Sequence, residues 1–270
     1  MSQGMETGRV ARTAGRLWLI LVSLFLLAPS VVLLGTAVTT TGYLAFPPEG
    51  LTLRWFALVL SDPAWVDSIV ASANIALIAT VVAAALAVPA TLALTSPRMP
   101  GRDTVEALLT MPMLVPQIVL GVGLLQLLLV LGVGRTYPGF VMAHVILALP
   151  FVLRSVLTSL RGAPRTLEQA AADLGAGPWR RFAHVTLPLM RTGLGAGCLL
   201  GFAASYVNVE VSMFLSTPAL NPLPVKLLNQ VAYTVDPGVS AVSTLTVALA
   251  FVAMLIVDRV SGLKAAGAPS

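Results

Sequence analysis

The 270-residue sequence holds few residues suited to bond-breaking chemistry. Its two histidines, His144 and His184, and its one cysteine, Cys198, have no carboxylate or thiolate partner at metal-ligand spacing. Neither H-E-x-x-H nor G-x-S-x-G occurs, so the common metal- and serine-hydrolase signatures are absent. The phosphate loop G-x-x-x-x-G-K-[ST] is absent as well. No catalytic residue, metal or bound cofactor is therefore expected in this chain. What remains is binding chemistry. The amides Asn74, Gln117, Gln126 and Asn208 lie in apolar surroundings, where such groups more often bond helix to helix than hold a ligand. Glu210 is an acid in an apolar run, a costly placement that makes it a functional candidate. Seven of the 27 charges fall in one segment, residues 161–191.

The elements that carry these residues follow from the missing charges. Hydrophobic side chains make up 57% of the chain and charged ones only 10%. A soluble domain carries about 25% charged residues, so a water-solvated globule is excluded. Six apolar stretches predict spans at about 17–38, 68–94, 107–134, 136–160, 192–215 and 237–257. About 20 apolar residues cross about 30 Å of hydrocarbon as a helix. Lipid offers the backbone no hydrogen bonds, and no barrel-like alternation is present, so these runs read as helices. The expectation is an all-α integral membrane protein with six transmembrane helices, one domain over residues 1–270. The first stretch follows Arg9, Arg12 and Arg16 but is longer than a signal core and lacks a clear cleavage site, so it is expected to be retained.

Charge placement sets the expected orientation. Arg9, Arg12, Arg16, Arg98, Arg102, Arg161, Arg165, Arg180, Arg181, Arg191, Arg259 and Lys264 fall on one side of the spans. Arg54, Arg135 and Lys226 fall on the other, and Arg154 lies inside or at the end of the fourth span. Basic excess marks the cytoplasmic side, which predicts both termini inside. Trp55 and Trp65 then stand beside outer span ends and Trp18 near an inner one. The basic pI near 10 is a topology signal, and no nucleic-acid partner is expected.

Pro112 and Pro116 interrupt the third span, where each removes a backbone donor. Two readings stand: a bent helix lining a pathway, or a tilted helix whose neighbours tolerate the prolines. Glu210 lies 18 residues beyond Thr192, about 27 Å along a continuous helix. It lines a pathway on one reading and sits solvated near the outer interface on the other.

Segment 161–191, "RGAPRTLEQAAADLGAGPWRRFAHVTLPLMR", is the longest connection on the basic side. Thr166 and Gln169 have capping-box spacing. Leu167, Ala170, Ala171 and Leu174 follow at helical spacing. Gly175 suits a left-handed helix end and Pro178 the first turn of a second helix. Trp179, Phe182 and Val185 give that helix an apolar stripe, and Pro188 is expected to stop it. The segment either lies on the bilayer surface or docks another protein, for which an alanine-rich surface permits close approach.

This segment resembles the EAA loop of the membrane subunits of ABC importers, whose pattern is E-A-A, three residues, G, then a later L-P. Ala170, Ala171, Gly175, Leu187 and Pro188 match. The family glutamate falls on Gln169, with Glu168 beside it. The segments "FPPEGLTLRWFALVLSDPAW", "PGRDTVEALLTMPMLVPQIVLGVGLL" and "VSMFLSTPALNPLPVKLLNQVAYTVDPGVSAVSTL" resemble spermidine/putrescine-type permeases, although Val207 stands where these often carry aspartate. The resemblance implies a type I importer permease of the bacterial inner membrane. It implies a cytoplasmic ABC ATPase dimer using ATP and Mg, a second and different permease subunit, and an extracytoplasmic solute-binding protein. Glu168, Gln169, Ala170, Ala171 and Gly175 are the expected ATPase-coupling residues. Asn208 and Glu210 are the expected substrate-pathway residues, with a polyamine as the solute. Alternatives are a transporter for another small solute and an ATPase-independent secondary transporter or channel.

Overall fold

The computed structural model describes residues 3–164 and 166–261; Arg165 and Lys264 of the charge count lie outside them. The described residues form helices joined by turns, with isolated bridges at Thr39–Leu51 and Thr217–Leu220. In chain order the helices are α1 (Gln3–Ala37), α2 (Arg54–Ser61), α3 (Pro63–Thr95), α4 (Arg102–Thr110), α5 (Gln117–Val130) and α6 (Tyr137–Arg161). There follow α7 (Thr166–Asp173), α8 (Pro178–Arg181), α9 (Leu187–Tyr206), α10 (Ser212–Leu215), α11 (Leu223–Tyr233) and α12 (Pro237–Ser261).

Among the described residues, four helical stretches are long and apolar enough to cross a bilayer: Gly15–Ala37, Pro63–Thr95, Tyr137–Arg161 and Pro178–Tyr206. The third expected span is a broken pair, Arg102–Met113 and Gln117–Val130, bent by 103°. Taken as one span, it brings the total among the described residues to five. The apolar part of α12 is the shorter Pro237–Ala253.

The broken pair overturns the reading of 107–134 as one tilted helix. Single prolines leave their helices unbroken, as Pro29 does in α1, Pro89 in α3 and Pro150 in α6. Pro112 and Pro116 are four residues apart, so successive turns of one face lose their donors and the second ring opposes the carbonyl of the first. The chain responds with a 3-10 turn at Met111–Met113 and restarts as α5.

Two compact units are present. The first comprises the chain up to Asp62 together with Gln230–Ala248. Inside it Thr36 Oγ1 donates to Ser240 Oγ (2.9 Å), joining α1 to α12. The loop after α1 is held by the Trp55 indole N–H donating to the Thr39 carbonyl (2.9 Å). The Arg54 guanidinium stacks over the Trp55 ring at 4.6 Å.

The second unit comprises Pro63–Asn229 and the chain from Leu249. Its centre is α3, α6 and α9, packed on one another. Small residues make this possible. Ala76, Ala79, Ala83 and Ala87 are fully buried along α3. Gly193, Gly197 and Gly201 form one stripe of α9, and a side chain at Gly197 would meet Val152 Cα of α6 at 2.8 Å. Association in lipid rests on such close packing, because lipid tails give apolar helices no hydrophobic reason to pair. Two apolar clusters fill the unit. One joins Ala83, Ala87 and Leu94 to Val152, Val156 and Met190. The other joins Ile75, Leu124 and Leu128 to Phe140, Leu147 and Val211. Trp65, in the first turn of α3, is buried beneath the Lys226 ammonium, 4.4 Å from its ring.

Candidate functional site

The segment 161–191 rises from a neck where α6 and α9 are bonded to each other. Ser159 Oγ near the end of α6 donates to the Leu189 carbonyl of α9 (2.9 Å) and lies 3.3 Å from Thr192 Oγ1. Within the segment, α7 opens at Thr166 itself, so Thr166 occupies the first turn and not the cap position. Its far end follows the expected chemistry. Gly175 takes φ +83° and closes a Schellman motif: its N–H donates to Ala172 and that of Ala176 donates to Ala171, both at 2.9 Å. Pro178 then starts α8 at its first position.

Pro188 does not stop the second helix. The chain runs from Pro178 through a π-turn at Phe182–Thr186 directly into α9, with Pro188 in the first turn of α9. The wider turn absorbs the missing donor of the proline, so helix and span form one continuous element. A push on α8 therefore reaches α9 with no intervening loop.

Side-chain chemistry, and not exposure, divides this segment into two faces, since Glu168, Gln169 and Asp173 are exposed as well. Leu167, Leu174 and Trp179 are 47%, 88% and 76% exposed, and Ala170 is exposed between them. Ala171 is half-buried, and Gly175 is exposed with nothing within 4 Å of where a Cβ would stand. The opposite face, with Glu168, Gln169, Ala172 and Asp173, lines a cleft of about 670 Å³ against the ends of α3 and α6. Gln169, the departure from the family glutamate, thus faces the cleft, and so does Arg181. The Arg181 Nε is buried there without a hydrogen-bond partner among the described residues. The surface offered outward is mainly apolar, with Leu167, Leu174 and Trp179 standing around the small Ala170.

The second group of candidate residues lies where α9 ends. The span expected over 192–215 stops at Tyr206, and α10 begins only at Ser212. Asn208, in the break, is buried. Its Oδ1 accepts the Val211 N–H (2.8 Å), and its Nδ2 faces Gln117 Oε1 at 3.4 Å. Asn208 and Gln117 also line a cavity of about 220 Å³ with Pro112, Met113, Leu147, Phe151 and Ala204. Both interruptions, at Pro112–Pro116 and at Val207–Val211, therefore meet at one small pocket. Glu210 lies in the turn after Asn208, exposed and not on a helix, and is not among the cavity residues. The continuous-helix placement of Glu210 is thereby corrected.

The break has a clasp that the sequence did not reveal. His144 of α6 is buried, with Nδ1 2.7 Å from Ser205 Oγ and Nε2 3.3 Å from Ser212 Oγ. A neutral imidazole donates at one nitrogen and accepts at the other, so one ring holds both sides of the break. The serines are 61 and 68 residues from His144, so no local spacing announces the contact. Among the described residues, no group of three His, Cys, Asp or Glu side chains is placed to hold a metal ion.

Residues 85–263 match the family described as "Binding-protein-dependent transport system inner membrane component". The chain belongs to this family. The matched region includes both segment 161–191 and the break after α9. Among its relatives, the spermidine/putrescine transport system permease protein PotC of Escherichia coli K12 is 28% identical over 219 residues, covering 81% of this chain and 83% of PotC. The putrescine transport system permease protein PotI of the same strain is 29% identical, covering 87% and 86%. A Salmonella typhimurium LT2 permease named for 2-aminoethylphosphonate transport is 27% identical, covering 94% and 95%. A solved bacterial ABC transporter involved in import of the acidic polysaccharide alginate shares the fold. Its TM-score is 0.70 at 18% identity, over 94% of this chain and 97% of that one. A second alginate transporter structure, in complex with an alginate pentasaccharide-bound periplasmic protein, also gives a TM-score of 0.70. The family member is thus a multi-pass inner-membrane permease of the ABC importer type, resembling spermidine/putrescine permeases. It is a transport subunit and not an enzyme.

Proposed function

We propose that this permease moves a small solute into the cytoplasm by alternating access, driven by a separate ATPase that docks on α7 and α8. The observation that carries the reading is the exposed apolar stripe of Leu167, Ala170, Leu174 and Trp179 on a segment outside the spans. Large apolar side chains are left on such a surface where a partner covers them. Glu168 and Gln169 then act from the inner face, setting the tilt of α7 against the cleft, while Ala171 and Gly175 fix its angle to α8. The continuous helix from Pro178 to Tyr206 passes the movement to the break at Asn208.

In this reading α12 completes a sixth crossing and both termini face the cytoplasm. A second, different permease subunit completes the pathway, and an extracytoplasmic binding protein delivers the solute. ATP and Mg are used by the ATPase dimer. Asn208, with Gln117, lines the pathway, and Glu210 stands at its exposed edge. The proposed solute is a polyamine, supported by the likeness to PotC and PotI.

The test is reconstitution of the permease pair, the ATPase and the binding protein in proteoliposomes. ATP-dependent uptake of labelled spermidine, competed by putrescine and not by 2-aminoethylphosphonate, supports the reading. Competition by the phosphonate alone reassigns the solute. Uptake without ATP replaces the importer with a secondary transporter or channel.

A further inference from the structure

Beside the coupling cleft lies a second cavity, of about 560 Å³, which the transport cycle described above does not use. It is lined by Leu94 and Thr95 of α3, by Arg102, Asp103, Glu106, Ala107 and Thr110 of α4, and by Arg154 and Arg161 of α6. It borders the coupling cleft through Thr95 and Arg161.

Three guanidinium groups meet two carboxylates here, leaving one positive charge over. Glu106 is taken by Arg161, whose two terminal nitrogens both bond its carboxylate, one at 3.1 Å. Asp103 is taken by Arg102 through Nε, at 3.5 Å. Arg154 makes no ion pair among the described residues. The hydroxyls nearby are also engaged, since Thr110 donates to the Glu106 carbonyl and Thr158 to the Arg154 carbonyl, both at 2.8 Å.

Arg154 lies seven residues inside α6 from Arg161, about 10 Å along the helix and nearly on the same face. A guanidinium inside a span is costly without a counter-charge, and its long stem lets the charge reach the level of lipid headgroups. Its planar fork matches the oxygens of a phosphate. Leu94 and Ala107 supply apolar wall beside the charges, as the glycerol and acyl portion of a lipid requires. A singly charged phosphodiester balances the one charge left over. Basic pockets between spans at one membrane face are where anionic headgroups bind.

We propose that this cavity is a binding site for the phosphate group of an acidic phospholipid, with Arg154 as its principal ligand and Arg102 beside it. The site places an acidic lipid against the base of the coupling segment. It depends only on the membrane-embedded fold, so it stands or falls separately from the transport reading.

The experiment is native mass spectrometry of the full chain in mild detergent, offered equal phosphatidylglycerol and phosphatidylcholine. The expected result is at least fivefold preferential retention of phosphatidylglycerol. Arg154→Gln abolishes the preference, Arg154→Lys keeps part of it, and Asp103→Asn, at an exposed position, strengthens it by freeing Arg102. Inorganic phosphate is the second arm. Displacement of the lipid at millimolar phosphate supports recognition of the phosphate group itself, whereas resistance to it supports the intact lipid as the ligand. Equal retention of the two lipids by the wild type, or unchanged preference in Arg154→Gln, overturns the proposal. The wild-type comparison and Asp103→Asn decide the matter even where Arg154→Gln fails to fold.

Discussion

Two helix interruptions, one after α7 and one after α9, solve the same problem in opposite ways. Each leaves backbone groups without helical partners. After α7 the backbone satisfies itself, because Gly175 enters the left-handed region and returns N–H groups to Ala171 and Ala172. No side chain is consumed, and Leu167, Leu174 and Trp179 are left facing outward. After α9 every non-glycine residue keeps negative φ, and side chains do the work. Asn208 caps Val211, and His144 bonds a serine on each side. The first interruption leaves apolar side chains facing outward; the second is closed by buried side chains, Asn208 and His144. In the proposed transport cycle this difference separates the element that would receive force from the element that would form the path.

The largest expected effect breaks the outward face. Burying a leucine contributes about 1.5–3 kcal/mol. Leu174→Asp removes that and adds a charge, so affinity for the ATPase should fall by tenfold or more, measured by titrating labelled ATPase onto permease in nanodiscs. Unchanged affinity removes the stripe from the interface. Next is Gly175→Val. Left-handed backbone costs a side-chain-bearing residue roughly 1–2 kcal/mol, and nothing crowds the position, so the substitution acts through backbone angle alone. Uptake should drop at least fivefold while ATP hydrolysis by the assembled transporter persists. Gly175→Asn, which tolerates the conformation, should retain most of the uptake.

These two sites were open to a sequence reader because their signals are local. Glycine, proline and apolar spacing of three and four residues all lie within 31 residues. The buried break was not, since residues 207–215 continue an apolar run with one acid and carry no helix-stopping residue. Asn208 was legible as a polar residue in apolar surroundings, but its partner Gln117 stands 91 residues earlier. Pro188 misled in the other direction. Pro188 falls in the first turn of α9, where a proline's missing donor is tolerated, and a π-turn precedes it. The prolines of the third span pointed to a break, but its size, 103°, reflects two of them acting on consecutive turns.

A smaller effect tests the closed interruption. His144→Phe keeps the ring volume but leaves Ser205 and Ser212 without their shared partner. Each stranded hydroxyl costs about 1–3 kcal/mol, so the thermal midpoint in detergent should fall by several degrees. An unchanged midpoint denies the clasp. The smallest expected effect is Glu210→Gln. The side chain is exposed and makes no ion pair among the described residues, so uptake and solute preference should remain within about twofold. A large loss would move Glu210 from the edge into the pathway.

The most direct measurement is site-specific crosslinking in the assembled membrane. Cys198 is replaced by serine, and single cysteines are placed at Ala170 on the outward face of α7 and at Val207 in the second interruption. Both positions are exposed. The account predicts that the cysteine at 170 crosslinks to a polypeptide whose peptides include a G-x-x-x-x-G-K-[ST] phosphate loop, and that the cysteine at 207 does not. Absence of that crosslink at 170, with both cysteines readily labelled by a small maleimide, would contradict the assignment of α7 as the docking helix.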